Sequence, residues 1–192
     1  MNNYKHEGES LKIEIWPSPA LSKKTQKVES FDDDLKCIIK NMLFTMYSTP
    51  GIGLAAPQVN VNKRFFVLDI DYKREKVTLP DNTEEYHLDE FNPMVFINPV
   101  IKSKKGEILY EEGCLSIPGV YEEVKRAEEI SVEFQDIHGN QQQLDTDGIL
   151  AVCIQHECDH LNGIVFLDRL SLLKRKFIKK KFLKERQRDR DE

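Results

Sequence analysis

The amino-acid sequence predicts an α+β fold: a mostly antiparallel β-sheet wrapped around one central helix, with an N-terminal helix and a basic C-terminal helix beside it. Three observations carry this expectation. Apolar residues recur at intervals of three and four through 31–47, the spacing of a one-sided helix. Short apolar or alternating runs at 64–70, 94–101 and 131–137 are divided by turn residues, as strands are. In 147–163 the apolar residues surround a helix that also carries His156, Glu157 and His160, so that helix belongs inside the molecule.

The elements follow in order. Residues 1–10 are polar and read as a flexible start. LKIEIW is expected to be a short strand ended by Pro17. The helix at 31–47 opens on acids and buries Leu35, Ile39, Met42 and Met46, with Cys37 on the same apolar face. STPGIGLAAPQVN is a loop of small residues, and RFFVLDI and MVFINPVI are buried strands. The charged segment 71–93 between them is a surface excursion. EILYEEGCLSIPG is a strand running into a turn, and His138-Gly139-Asn140 turns the chain back after SVEFQDI. Asp145 or Asp147 caps the central helix, and Gly163 stops it.

A chain of 192 residues suits a single domain, 1–192, and can bury about two-thirds of its unfolded surface without cross-links. Four cysteines with no CxxC pair point to a reducing compartment. No apolar run resembles a signal peptide or reaches the ~20 residues of a membrane span, so a cytoplasmic protein with no membrane partner is expected. The net charge of −5 is unevenly placed. The segment 174–192 holds 10 basic and 4 acidic residues, +6, which leaves −11 on 1–173. The tail is therefore a separate electrostatic object, read as a helix with Phe177, Ile178, Phe182 and Leu183 on its apolar side.

His156 and His160 are one helical turn, about 6 Å, apart and can reach one metal ion. A catalytic site needs a third protein ligand and an open position. The metzincin scheme places that ligand at Phe166, which cannot coordinate, and the thermolysin scheme leaves only Glu185 in the basic tail. Cys158 lies about 200° around the helix from His156, and Cys153 is about 10.5 Å along the axis from His160. Cys37 belongs to another helix. Cys114, between Gly113 and Leu115 at a strand end, completes a Cys/His/His set.

GIGLAAPQ (51–58), EGCLS (112–116) and QHECDH (155–160) resemble, in order and position, the three signature motifs of peptide deformylase. The resemblance runs from about Leu11 to the basic tail. It implies removal of the formyl group from the N-terminal formylmethionine of newly made polypeptides, with release of formate. It makes Cys114, His156 and His160 the metal ligands, Glu157 the acid/base, and Gln58 with the backbone N–H of Leu115 the oxyanion donors. A proton-transferring carboxylate of this kind is typically worth ~10²–10⁴-fold. The implied ion is Fe²⁺, one per chain, with Zn²⁺, Ni²⁺ or Co²⁺ able to substitute; ligand chemistry alone suggests zinc.

Substrate contacts are expected from the flexible strand at Ile52 and Gly53, which can pair with a peptide, and from Gly113, where a bare backbone permits close approach. Ile149, Val152 and Cys153 share the helix face of His156 and line a methionine pocket, with Ile52 and Tyr110 opposite. Tyr121 stands where some members of the family carry an arginine. The basic tail suggests a ribosome partner near the exit tunnel, as some deformylases dock through a C-terminal helix; no sequence-specific nucleic acid is expected. Two rival readings are a zinc metalloprotease and a non-catalytic metal-binding, ribosome-associated protein. The unclosed protease schemes argue against the first, and Gln58 and Glu157 against the second, since binding alone requires neither.

Overall fold

A computed structural model describes residues 8–78 and 83–191. Helix α1 (Asp33–Ser48) begins where Asp32 accepts a hydrogen bond from the Leu35 N–H at 2.9 Å, and Asp33 and Asp34 fill its first turn. Leu35, Ile39, Met42, Leu43 and Met46 form its buried stripe. Cys37 is exposed rather than on that stripe: two positions from Leu35 and from Ile39, it falls on the opposite face.

The main sheet has five antiparallel strands in the order β1 (Gly53–Ala55), β2 (Phe65–Leu68), β5 (Met94–Lys105), β8 (Glu129–Gln135) and β9 (Gln141–Asp147). Its inner face stacks Phe66 on Phe96 at 4.9 Å and packs against Ala151, Ile154, Cys158 and Leu161 of helix α2 (Gly148–Leu161). The opposite side of β1 and β2 receives α1 through Leu54, Phe65 and Val67. Two hairpins complete the strands. β3 (Lys73–Thr78) pairs with β4 (Glu84–Asp89), and β6 (Ile108–Cys114) pairs with β7 (Ile117–Arg126).

Several expectations change. The run LKIEIW is not a sheet strand, because it divides its hydrogen bonds between two elements: Glu14 N–H donates to Gln58 O at 2.7 Å and Trp16 N–H to Ser116 O at 2.9 Å. The loop of small residues contains β1 and a 3₁₀ turn at Ala56–Val59. Its small side chains let α1 and α2 close on either side of Leu54 and Ala55, both fully buried. The charged excursion is the β3–β4 ribbon, held by Lys76–Glu84 at 2.5 Å and by the Arg74 guanidinium 3.9 Å above the Tyr86 ring. Of the flexible start, residues 1–7 lie outside the described residues.

Helix α2 ends where Gly163 turns with φ +73°, against the backbone of Ser22. A 3₁₀ turn at Phe166–Arg169 leads to helix α3 (Leu172–Asp191). α3 touches the body through Ile178 and Phe182, which pack with Leu21 and Phe166, while Phe177 is 69% exposed and Leu183 43%. A single i, i+4 stripe holds this helix, and residues about 100° around it are left outside. Lys179 and Arg175 pair with Asp168 at 2.9 and 3.5 Å. No helix among the described residues is long and apolar enough to cross a membrane.

Candidate active site

Helix α2 carries His156, Glu157 and His160 into the interior, each 9% exposed or less. The end of β6 brings Cys114 to them. Its Sγ lies 3.3 Å from His160 Nε2, which lies 3.2 Å from His156 Nε2, and the three donor atoms all fall within 4.8 Å of one another. Ligands about 2.0–2.3 Å from a tetrahedral centre would stand roughly 3.3–3.6 Å apart. The observed separations and the sulfur–imidazole donor set fit one divalent transition-metal ion. Cys158, on the sheet side of α2, and exposed Cys37 are not brought to this point.

Three glycine and glutamine positions explain the local sequence. A β-carbon on Gly53 would overlap Oε1 of Glu157, so any larger residue there would push the carboxylate aside. On Gly113 a β-carbon would fall 2.6 Å from the Tyr121 ring, which covers that strand. Gln58 is 1% exposed and its Oε1 accepts from the Ala55 N–H at 2.8 Å. That bond turns its Nε2 towards Ser116 Oγ at 3.2 Å and Cys114 Sγ at 3.5 Å.

Beside these groups is a cleft of about 450 Å³. Gln58, Cys114, Leu115, His156 and Glu157 line it, as do Ile52, Gly53, Tyr110, Gly113, Val152 and Cys153. Ile149, 39% exposed on the first turn of α2, is not among its lining residues. Burial pushes the Cys153 thiol up to about 12, with Glu157 adding to the shift, so this cysteine presents a neutral wall. Burial also raises the Glu157 carboxyl to about 7, against the opposing pull of His156. Its Oε2 is buried and bonded to no protein group.

Sequence reasoning missed the groups behind the histidines. Glu112 Oε2 meets His156 Nδ1 at 2.8 Å, leaving Nε2 to face Cys114 and His160. Arg126 grips Glu112 with two bonds of 2.6 and 2.9 Å and reaches Asp159 with a third of 2.6 Å. Burial works to raise the Glu112 carboxyl, but the hydrogen bonds from Arg126 and His156 outweigh it and hold the group at about 2. Strand alternation does place Glu112 on the same face as Cys114, a signal available in EGCLS. Nothing local in VKRAEE marks Arg126 as buried.

The family model for polypeptide deformylase matches residues 10–176. The chain belongs to that family. It is 46% identical over 179 residues to peptide deformylase 2 of Xanthomonas axonopodis pv. citri, covering 92% of this chain and 96% of that one. The crystal structure of a peptide deformylase from Legionella pneumophila superposes with a TM-score of 0.81 at 39% identity, over 95% of this chain and 99% of that one. That of a peptide deformylase from Synechococcus elongatus in complex with actinonin gives 0.77 at 42% identity, over 89% and 86%. The protein is thus a metal-dependent hydrolase that removes the formyl group from the N-terminus of newly synthesised polypeptides. The metalloprotease and the non-catalytic binder are set aside.

Proposed function

We propose that Cys114, His156 and His160 hold one divalent ion, that Glu157 moves the proton, and that Gln58 and the Leu115 backbone N–H receive the developing negative charge. The observation that carries this reading is the convergence of Cys114 Sγ and the two Nε2 atoms on one point, beside a cleft that Cys114, His156 and Glu157 line and with Glu157 Oε2 unbonded. Fe²⁺ is the proposed ion, on the resemblance to the family, with Zn²⁺, Ni²⁺ or Co²⁺ as substitutes. When bound, such an ion polarises a carbonyl oxygen and lowers the pKa of water.

The chain's own groups do the rest. The backbone at Ile52 and Gly53 lies beside the substrate peptide, and Tyr110, Gly113, Val152 and Cys153 enclose the methionine side chain, with Ile149 at the outer end of that wall. Glu157 Oε2 accepts a proton from the attacking water. Its burial supports the role, since a carboxylate with few solvent partners gains most from taking up a proton. Gln58 Nε2 and the Leu115 N–H donate to the formyl oxygen as the carbonyl becomes tetrahedral. When the C–N bond breaks, Glu157 returns the proton to the leaving nitrogen. Formate and a free methionyl amine result, with one water consumed.

The working place of the enzyme is proposed to be the cytoplasm, on formylmethionyl chains near the ribosomal exit. Lys176, Lys180, Lys184 and Arg188 stand exposed on α3 and would meet RNA phosphate there. Reversing these four charges should abolish co-sedimentation with ribosomes at low salt without slowing hydrolysis of short peptides; unchanged co-sedimentation would remove α3 from that role. The activity itself is tested by formate release from formyl-Met-Ala under anaerobic conditions, with metal measured on the same sample. Roughly one ion per chain and steady formate release are expected, with internal peptide bonds left uncut. Metal-loaded protein that released no formate would overturn the reading.

A further inference from the structure

Four charged side chains form an unbroken line behind His156, three of them buried and the fourth at the surface. Glu112 holds the ring, Arg126 holds Glu112 and reaches Asp159, and Asp159 is gripped in turn by Arg169. Asp159 Oδ2 accepts from Arg126 Nη1 at 2.6 Å and from Arg169 Nε at 2.9 Å, while its Oδ1 accepts from Arg169 Nη2. The side chains of Glu112, Arg126 and Asp159 are 4, 4 and 8% exposed, whereas Arg169 is 40% exposed at the surface. Arg169 lines no part of the cleft and is nine residues beyond His160.

We infer that Arg169 is a positioning residue for the metal centre, acting through Asp159, Arg126 and Glu112 on the ring of His156. This inference rests on the ligand assignment proposed above. Arg126 is shared between two carboxylates, and both of its bonds to Glu112 depend on where its guanidinium plane lies. Arg169 supplies Asp159 with a second cation, so Arg126 need not swing towards Asp159 and away from Glu112. Glu112 Oε2 serves both Arg126 Nη2 and His156 Nδ1, so any shift of the guanidinium is passed to the imidazole. Arg169 is itself braced. Its neighbour Asp168 is paired with Lys179 and Arg175 of α3, and Phe166 and Leu167 of the same turn are buried against Ile178 and Phe182.

The test must separate orientation from charge. Arg169→Lys and Arg126→Lys keep each positive charge but lose the planar fork that makes the paired contacts. Full-length protein is loaded with Co²⁺, its sulfur-to-cobalt absorption band recorded, and metal loss to excess chelator followed with time. Arg126→Lys should speed that loss about 10-fold, the low end of what loss of a ligand's supporting group costs. Arg169→Lys, one pair further out, should speed it on the order of threefold, with the band retained. Asp32→Ala, which weakens α1 far from the site, serves as the destabilised control and should release cobalt at the parent rate. Release by Arg169→Lys at the parent rate, or equal acceleration in Asp32→Ala, would overturn the inference even if Arg126→Lys folds poorly. Absence of the sulfur band from the parent protein would instead overturn the assignment of Cys114.

Discussion

Gly53 and Glu157 are in direct contact: the α-carbon of the β1 glycine faces the carboxylate of the helix glutamate so closely that no β-carbon fits between them. Glu157 is thereby walled in by backbone, which removes water from one side, and its buried Oε2 is the oxygen left without a protein partner. Gly53→Ala should therefore displace the carboxylate while sparing the ligands. The expected result is about a 100-fold loss of kcat/KM, the scale of a misplacement near 1 Å, with metal content unchanged. Full activity in the alanine variant would mean that Glu157 is not held in its working position by β1.

Gln58 is anchored by its own carbonyl oxygen to the Ala55 N–H, so its amide donor is fixed before substrate arrives. Gln58→Ala should lower kcat by about 10²–10³ with a small change in KM, the pattern of a donor that acts on the transition state. A variant altered in KM alone would assign Gln58 to substrate binding.

The four cysteines are not equivalent. Cys114→Ala should bind little metal and release no formate. Cys158 packs against the inner face of the sheet, so Cys158→Ser should cost about 1 kcal/mol of stability, as a hydroxyl in apolar surroundings does, and leave turnover unchanged. Metal content measured with both variants separates the two outcomes.

A thiolate beside Fe²⁺ is open to oxidation of both sulfur and iron. Half-buried Cys114 borders the cleft, so oxygen can reach it. Iron-loaded protein kept in air should lose activity over hours, and nickel-loaded protein should keep it. Equal persistence of the two would count against iron as the working ion.

Much of this molecule was legible in its sequence, for physical reasons that differ by element. Helix α1 announces itself because one face is buried and the other solvated. The three short motifs mark the site because each side chain there has a chemical task. β1 was hidden, since a strand of only three residues, Gly53-Leu54-Ala55, is too short to show a period. The strand expected at LKIEIW failed because alternation shows a two-sided environment and says nothing of whether a partner strand runs alongside. The charge line was invisible for a different reason. Its members stand 14, 33 and 10 positions apart, and arginine and aspartate in polar runs look solvated until the fold encloses them. Phe177 misled in the opposite direction, being apolar at helical spacing yet outside.

The proposed division of labour gives the ion to Cys114, His156 and His160, and the proton transfer to Glu157 beside them. The most direct measurement is metal content and formate release on one anaerobic sample of Glu157→Ala. About one ion per chain is expected, as in the parent protein, with turnover of formyl-Met-Ala reduced by ~10²-fold or more. Loss of the metal along with the activity would place Glu157 among the ligands, and retention of both would leave the proton transfer to some other group.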